Sequence, residues 1–486
     1  MNLTAVLVAI LAATSAPGSA SKESESPNAD VMWSLQSATP DKIPISIAIP
    51  GKDTPADTPL LEKAYSLIAG RAAKAGLTDL LSAVSGGQDA PPPADSSPTS
   101  DNPASDEDKK AAGREVAALA LLSGDLGMAA LEKGDLNTSA KALDLALAVM
   151  TSFRGDESRM KKAMSLWGTE SIKDFKGEPH ERSSVFMWRG FSYIAAGDIE
   201  NARACFISAN LQDEFANDPK SRGNWLVADL FERQCSVWLG DGLESQITER
   251  MQKNYSDLKI PTASKRQNVA IVFAMGYAPV KQAGGYQGSQ LAYQRAETGA
   301  AWGAILPPGQ PSPRPLENSD DIVLQAVTRG LRSMDQRLAE EAKTKDDVKM
   351  AGDALVQVGG YVPLPYVGDI MRLLGRGVRA AGSGIKVFAD TRGLLSVPSS
   401  LAVVFVNRDE MPPGTKIAIL DREFNTIAQT EVPVMNGLDK PTVLLVRYVG
   451  QANSTRLVLD PYGPTTESKE KPVDKNKASE RATKKE

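Results

Sequence analysis

An α+β chain built from several units is what this sequence predicts, on three observations. Two stretches rich in alanine and glycine keep small residues where one helix must cross another, as Gly190 and Ala202 do in FMWRGFSYIAAGDIENARACFISA, residues 186–209. Apolar, turn-bounded runs suited to strands appear at QNVAIVFAMGYAP and again near the carboxyl end. Between the first segment and the helical part, residues 86–108 are so rich in proline, serine and aspartate that they read as a flexible linker.

Taken in order, MNLTAVLVAILAATSAPGSA carries an apolar core from Leu3 to Ala13, then Pro17, with Gly18 and Ala20 small enough for signal-peptidase cleavage. Residues 1–20 therefore read as a signal peptide and the chain as exported, periplasmic or at the cell surface. The missing positive n-region leaves a frayed helix as the alternative. No cysteine near the cleavage site offers a lipid attachment, and no later segment reaches the apolar length of a transmembrane helix. Residues 21–85 hold a strand, IPISIAIP, whose isoleucines alternate and whose Pro44 suggests an edge, followed by a helix opened by Thr58 and Pro59.

Residues 109–255 are the helical domain. Gly190, Tyr193, Gly197, Ala202, Phe206 and Ala209 stand at the small, aromatic and turn positions of a tetratricopeptide hairpin, with Phe186 and Arg189 in place of the usual opening tryptophan and leucine. A buried Arg189 requires a partner. A weaker copy, with Gly127, Ala130, Gly134, Ser139, Leu143 and Ala146, lies upstream, and an extra helix over residues 156–172 accounts for the unusual interval. A generic amphipathic hairpin is the alternative for either copy. Residues 260–390 read as a mixed region, with the strand, Gly- and Pro-rich connections, and a long helical stretch over residues 320–381. Residues 396–462 alternate β-rich runs with Pro-Gly and Asn-Gly turns, as in a small antiparallel domain. Residues 463–486 form a charged, disordered tail.

Three short pieces resemble an uncharacterised bacterial envelope family of exported, often lipid-anchored proteins with tetratricopeptide-like helices. They are Phe175-Lys176-Gly177-Glu178-Pro179 with Glu181-Arg182, Gly276-Tyr277-Ala278-Pro279-Val280-Lys281, and Ala389-Asp390-Thr391-Arg392 with Val397-Pro398. The resemblance implies an envelope scaffold without an assigned reaction. The absent lipid-attachment cysteine departs from it.

Charge and residue types narrow the chemistry. A net charge of −5 leaves no basic footprint for nucleic acid. The single histidine, His180, reads as a surface or capping residue, and with only Cys205 and Cys235 besides, no metal site or cofactor is expected. Those cysteines either form a disulfide or are small buried residues. Ser158 to Lys161 matches a nucleophile motif without its companions, and Arg154-Gly155-Asp156 is a chance tripeptide. Glu178, Glu181, Asp390 and Arg392 are the polar positions of interest, read as capping or paired groups rather than an acid/base pair.

The expectation is a non-enzymatic scaffold that binds a protein or peptide of the envelope. The alternative is an envelope hydrolase or transferase with its site between the helical and β-rich parts. Residues Leu121, Met128 and Leu131 of the first hairpin, with Ser184, Met187, Phe191 and Ile194 of the second, either line an apolar partner-binding groove or are covered by the chain's own carboxyl-terminal half.

Overall fold

In the computed structural model the described residues are 45–52, 58–74, 106–151, 177–212, 225–256, 258–284, 290–295, 298–310, 312–316, 320–328, 392–435 and 440–450. The expected export signal, most of the expected linker, the helix expected at 156–172, the helical stretch expected beyond 328, Asp390, the run at 456–459 and the expected tail lie outside them.

Helix formers dominate the central sequence. Helices α1 (Thr58–Lys74), α2 (Asp106–Glu132), α3 (Leu136–Thr151), α4 (Pro179–Ala196), α5 (Ile199–Leu211), α6 (Leu226–Leu239) and α7 (Glu244–Asn254) follow one another. The pairs α2–α3, α4–α5 and α6–α7 are hairpins. Their turns hold Gly134, Gly197 and Gly242 at φ of 92°, 84° and 80°, the left-handed region that glycine enters without a steric penalty.

Close helix approach explains the small residues. A Cβ on Gly190 would sit 2.7 Å from Cζ of Phe206, and one on Gly127 would sit 2.6 Å from Cγ of Leu143. The spacing places Ala202 against Gly190; the three atoms nearest the Gly190 Cβ position belong to the Phe206 ring, which leans toward the turn before its own Cα. Ala202, Phe206 and Ala209 are all fully buried. In α6–α7, Cys235, Gly242, Ile247 and Met251 repeat the intervals of Gly190, Gly197, Ala202 and Phe206. This third hairpin escapes a search for glycine because cysteine holds the small position.

Arg189 is buried and paired. It binds Asp144 of α3 through Nε and Nη2 at 2.7 and 2.9 Å, and its guanidinium lies 3.7 Å from the centroid of Tyr193. The pair fastens the second hairpin to the first.

Strands then build the other layers. β1 (Ser46–Ala48), β2 (Val269–Met275), β7 (Asp320–Asp321), β8 (Ser400–Val406) and β11 (Thr442–Tyr448) form one sheet in the order β1-β11-β2-β8-β7. β11 runs parallel to β2, and the other neighbours are antiparallel. β1 is an edge, as its sequence suggests. A second, antiparallel sheet has the order β10-β9-β5-β6, from β5 (Trp302–Leu306), β6 (Arg314–Leu316), β9 (Lys416–Leu420) and β10 (Thr426–Glu431). β3 (Val280–Gly284) pairs with β4 (Gln290–Gln294), and a short helix, α8 (Ile322–Thr328), follows β7. The carboxyl-terminal strands are thus antiparallel-rich, as expected, and are completed by strands from far upstream.

The order of layers follows from period-two patterning in a strand buried on both faces. Ala270, Val272 and Ala274 of β2, with Val443 and Leu445 of β11, join the core of the helices. Val269, Ile271, Phe273 and Met275, with Leu444, Val446 and Tyr448, pack with Ile417 and Ile419 of the second sheet. Helices, first sheet and second sheet form three successive layers.

Because Gly190 has no free space at its Cβ, Gly190→Ala forces the Phe206 ring to move. The expected cost is about 1 to 3 kcal/mol, read as a lower midpoint in urea unfolding, despite alanine's better helix propensity.

Candidate functional site

The described parts of the three family-like motifs are distant in sequence and meet in space, where the start of α4, the start of β3 and the segment leading into β8 converge. Pro179 opens α4 at its first turn, and Glu181 reaches back to accept the Glu178 N–H at 2.7 Å. The same Oε2 accepts Nζ of Lys281 at 2.7 Å, while Oε1 accepts the Leu394 N–H at 2.9 Å. Lys281 also donates to the carbonyl of Arg392 at 2.7 Å. The Glu181 and Lys281 side chains are 2% and 4% exposed, so this ion pair is interior.

Gly393 belongs to this arrangement. A Cβ there would meet Oε1 of Glu181 at 2.7 Å and Cε of Lys281 at 3.2 Å, so only a residue without a side chain lets the backbone come so close. Arg392 and Glu178 are buried as well. His180 is buried rather than on the surface, its ring edge-on to Tyr293 with centroids 5.5 Å apart. A start-of-helix histidine reads as exposed in the sequence, but here β4 covers it.

Further buried acids tie the same layers together. Asp125 of α2, fully buried, accepts the N–H groups of Leu395 and Ser396 at 2.9 and 2.7 Å. Ser399 carries the segment onward by donating its N–H and its hydroxyl to Met275 O, each at 2.9 Å. Asp320 of β7 accepts the N–H groups of Leu226 and Val227 at 3.0 and 2.8 Å, capping α6 from a strand. Glu132 of α2 faces Arg447 of β11 at 3.6 Å, and burial raises its carboxyl above the ordinary range, opposed by Arg447. Within the third hairpin, Asp229 accepts Asn210, Arg250 and Tyr255 at 2.8, 2.8 and 2.9 Å. Desolvation pushes that carboxyl up and also raises the Tyr255 hydroxyl.

These arrangements hold charge in place. Both oxygens of Glu181 are engaged, and Lys281 is bound to a carboxylate and a carbonyl. Among the described residues, no group of three or more His, Cys, Asp or Glu side chains is placed to hold a metal ion. An open depression of 430 Å³ lies at the α4–α5 turn, lined by Ala196, Gly197, Asp198, Ile199, Glu200 and Leu239. It is at the other end of α4 from Glu181, about 22 Å along the helix.

The expected partner-binding face is interior, which corrects the open-groove expectation. Met128, Leu131, Met187, Phe191 and Ile194 have no exposed surface, and neither do Leu121 and Ser184. Phe191 lies 5.0 Å from the ring of Phe231, which in turn lies 5.0 Å from Phe405 of β8. The physical reason is that an apolar concave helical face and the small-residue face of β2 bury each other. Cys205 and Cys235 are free thiols rather than a disulfide, and burial pushes Cys205 up to about 12 and raises Cys235 as well.

Asp125, Asp320 and the Glu132–Arg447 pair were not legible as site residues. Asp125 alone carries a local signal, an acid inside the apolar helical run ALALLSGDLGMAAL. Comparison with known proteins finds no matching family model, no matching curated protein and no matching solved structure.

Two substitutions probe these placements. Lys281→Met leaves the Glu181 charge buried and should destabilise by about 3 to 5 kcal/mol in denaturant unfolding. Phe191→Ala should cost about 3 to 5 kcal/mol as a core cavity; an unchanged melting temperature would return that ring to the surface.

Proposed function

We propose that this chain is an exported, non-catalytic scaffold of the bacterial cell envelope that binds a protein or peptide partner, its tetratricopeptide-like helices serving as a rigid layer. The observation that carries this reading is the Glu181–Lys281 pair. The two best-placed ionisable side chains of the converging motifs are held by internal partners, as in a structural tie, and neither is presented to a cleft. With the concave helical face filled by the first sheet, a partner is read by outward surfaces. Export rests on the apolar run from Leu3 to Ala13 with Gly18 and Ala20 after it. Among the described residues, no helix is long and apolar enough to cross a membrane.

The second reading, a hydrolase or transferase, is favoured by one observation. Glu178, His180, Glu181, Lys281 and Arg392 gather where helices meet strands, and such gatherings of buried polar groups also mark catalytic centres.

One experiment separates the two. Glu181→Gln with Lys281→Met removes both charges while keeping an acceptor for the Leu394 N–H. In a strain lacking the native gene, a scaffold carrying this double change should restore the envelope phenotype and the crosslinked partner profile of the wild type, with its fold checked by circular dichroism. A folded double variant that fails to complement would favour the enzyme.

A further inference from the structure

Residues 392–399, Arg-Gly-Leu-Leu-Ser-Val-Pro-Ser, belong to neither a helix nor a strand, yet most of them are buried. The backbone amides of such a segment need partners as much as those of a ladder do. Here the partners are side chains. Glu181 of α4 accepts the Leu394 N–H at 2.9 Å, and Asp125 of α2 accepts the N–H groups of Leu395 and Ser396 at 2.9 and 2.7 Å. Lys281 donates to the Arg392 carbonyl at 2.7 Å. Three successive amides are thus read by two carboxylates, which stand on the first helices of successive hairpins.

Two further contacts select the side chains. Gly124, the residue before Asp125, leaves a recess that Leu394 fills, because a Cβ on Gly124 would sit 2.8 Å from Cδ2 of Leu394. Gly393 must itself lack a side chain, since a Cβ there would meet Oε1 of Glu181 at 2.7 Å. Leu394 and Val397 are buried and join the core of the helices. Backbone hydrogen bonds that supply affinity, with recesses that supply sequence preference, are the parts of a site for an extended peptide. The Glu181 acceptor is aimed independently of the segment, by the Glu178 N–H and by Lys281, each at 2.7 Å.

We propose that Gly124, Asp125 and Glu181 form a binding site for an extended peptide of sequence Gly-Leu-Leu-Ser, and that residues 393–396 are its resident ligand, supplied by the chain itself. Site and ligand are remote in sequence, with Glu181 and Leu394 separated by 213 positions and Asp125 and Leu395 by 270, so no local propensity joins them. The segment is tied to β8 through Ser399, whose N–H and hydroxyl both bond Met275 O at 2.9 Å. That attachment keeps the ligand at a high effective concentration beside its site, which a free peptide of the same sequence cannot match while the segment is intact. The recognition is internal, and it stands apart from any partner of the outer surfaces.

The test separates ligand from site in the full chain. Gly393→Val sets a side chain against Glu181 and should expel the resident segment. A fluorescein-labelled peptide of residues 391–397, which stops short of Ser399 so that the chain's own tie to Met275 is kept, is then titrated into wild type and variant and followed by fluorescence anisotropy. The variant should bind it more tightly than the wild type by on the order of tenfold or more, since the tethered competitor is gone. The peptide should also raise the variant's melting temperature, and the same peptide with valine in place of its glycine should do neither. If Gly393→Val does not fold alone, refolding it with the peptide should recover the wild-type circular dichroism spectrum, and the valine peptide should not. A folded variant that binds the peptide no better than the wild type, an unfolded one that the peptide does not rescue, or equal action of the valine peptide would overturn the proposal.

Discussion

A carboxylate is so well solvated in water that burying one costs several kcal/mol unless donors converge on it. The architecture of this chain depends on meeting that condition at a distance. Asp125 on α2 needs the N–H groups of residues 395 and 396, Glu181 on α4 needs Leu394 and Lys281, and Asp320 on β7 needs the first turn of α6. Glu132 needs Arg447. In each case the acid and its donors lie in different layers or in segments remote in sequence. Parting the helices from the sheets would strand the acids and their donors together, so the layers stand or fall as one body.

This coupling explains which parts of the fold were legible. The hairpins announce themselves because their determinants are local: Gly127 and Gly190 stand within one helix length of the side chains that fill the space beside them, Leu143 and Phe206. β2 is equally readable as a buried strand, since all seven residues are apolar. Its partners are not. Nothing local in Thr442–Tyr448 says that it lies parallel to Val269–Met275, nor that Ser46 faces Arg447, because pairing depends on which surfaces remain to be covered after the helices have docked. For the same reason the candidate site was half readable. Its motifs were visible as short pieces, while the convergence of Glu181, Lys281 and Leu394 was not, and the α6–α7 copy of the repeat was hidden by Cys235 and Ile247 at two of its small positions.

The concave face of the helices illustrates how an interaction surface and a core use the same residue types. Met187, Phe191 and Ile194 would suit a docking groove, and they suit an internal interface for the same physical reason, that apolar area is favourably removed from water by whatever covers it first. The sheet is an effective competitor because it is tethered to the helices, and because Ala270 and Ala274 leave room on its helix-facing side. A tethered segment acts at a high effective concentration that a free peptide cannot match. The helical layer therefore serves this molecule as a wall, and the proposed scaffold would have to recognise a partner by its outer surfaces.

The charge states of the buried acids bear on why such ties persist. Desolvation raises the Glu132 and Asp229 carboxyls despite Arg447 and Arg250 beside them. A carboxyl whose folded value lies above its unfolded one gives stability that is full below the ordinary carboxylate range and is lost as pH rises through the folded value. Asp421, exposed in the β9–β10 loop and lowered by its bonds to Asn425, acts with the opposite sign: its contribution is present above the ordinary range and is lost as pH falls through its folded value. Wherever they are ionised, Glu132 and Asp229 thus reduce the margin that an apolar pair of the same shape would supply. What they provide is discrimination, since a helix displaced by one turn against the sheet would leave a bare charge inside, whereas a displaced leucine would still find apolar neighbours. In a stack of alanine-rich hairpins with similar faces, that penalty for the wrong register distinguishes one docking of the helices on the sheet from its near neighbours.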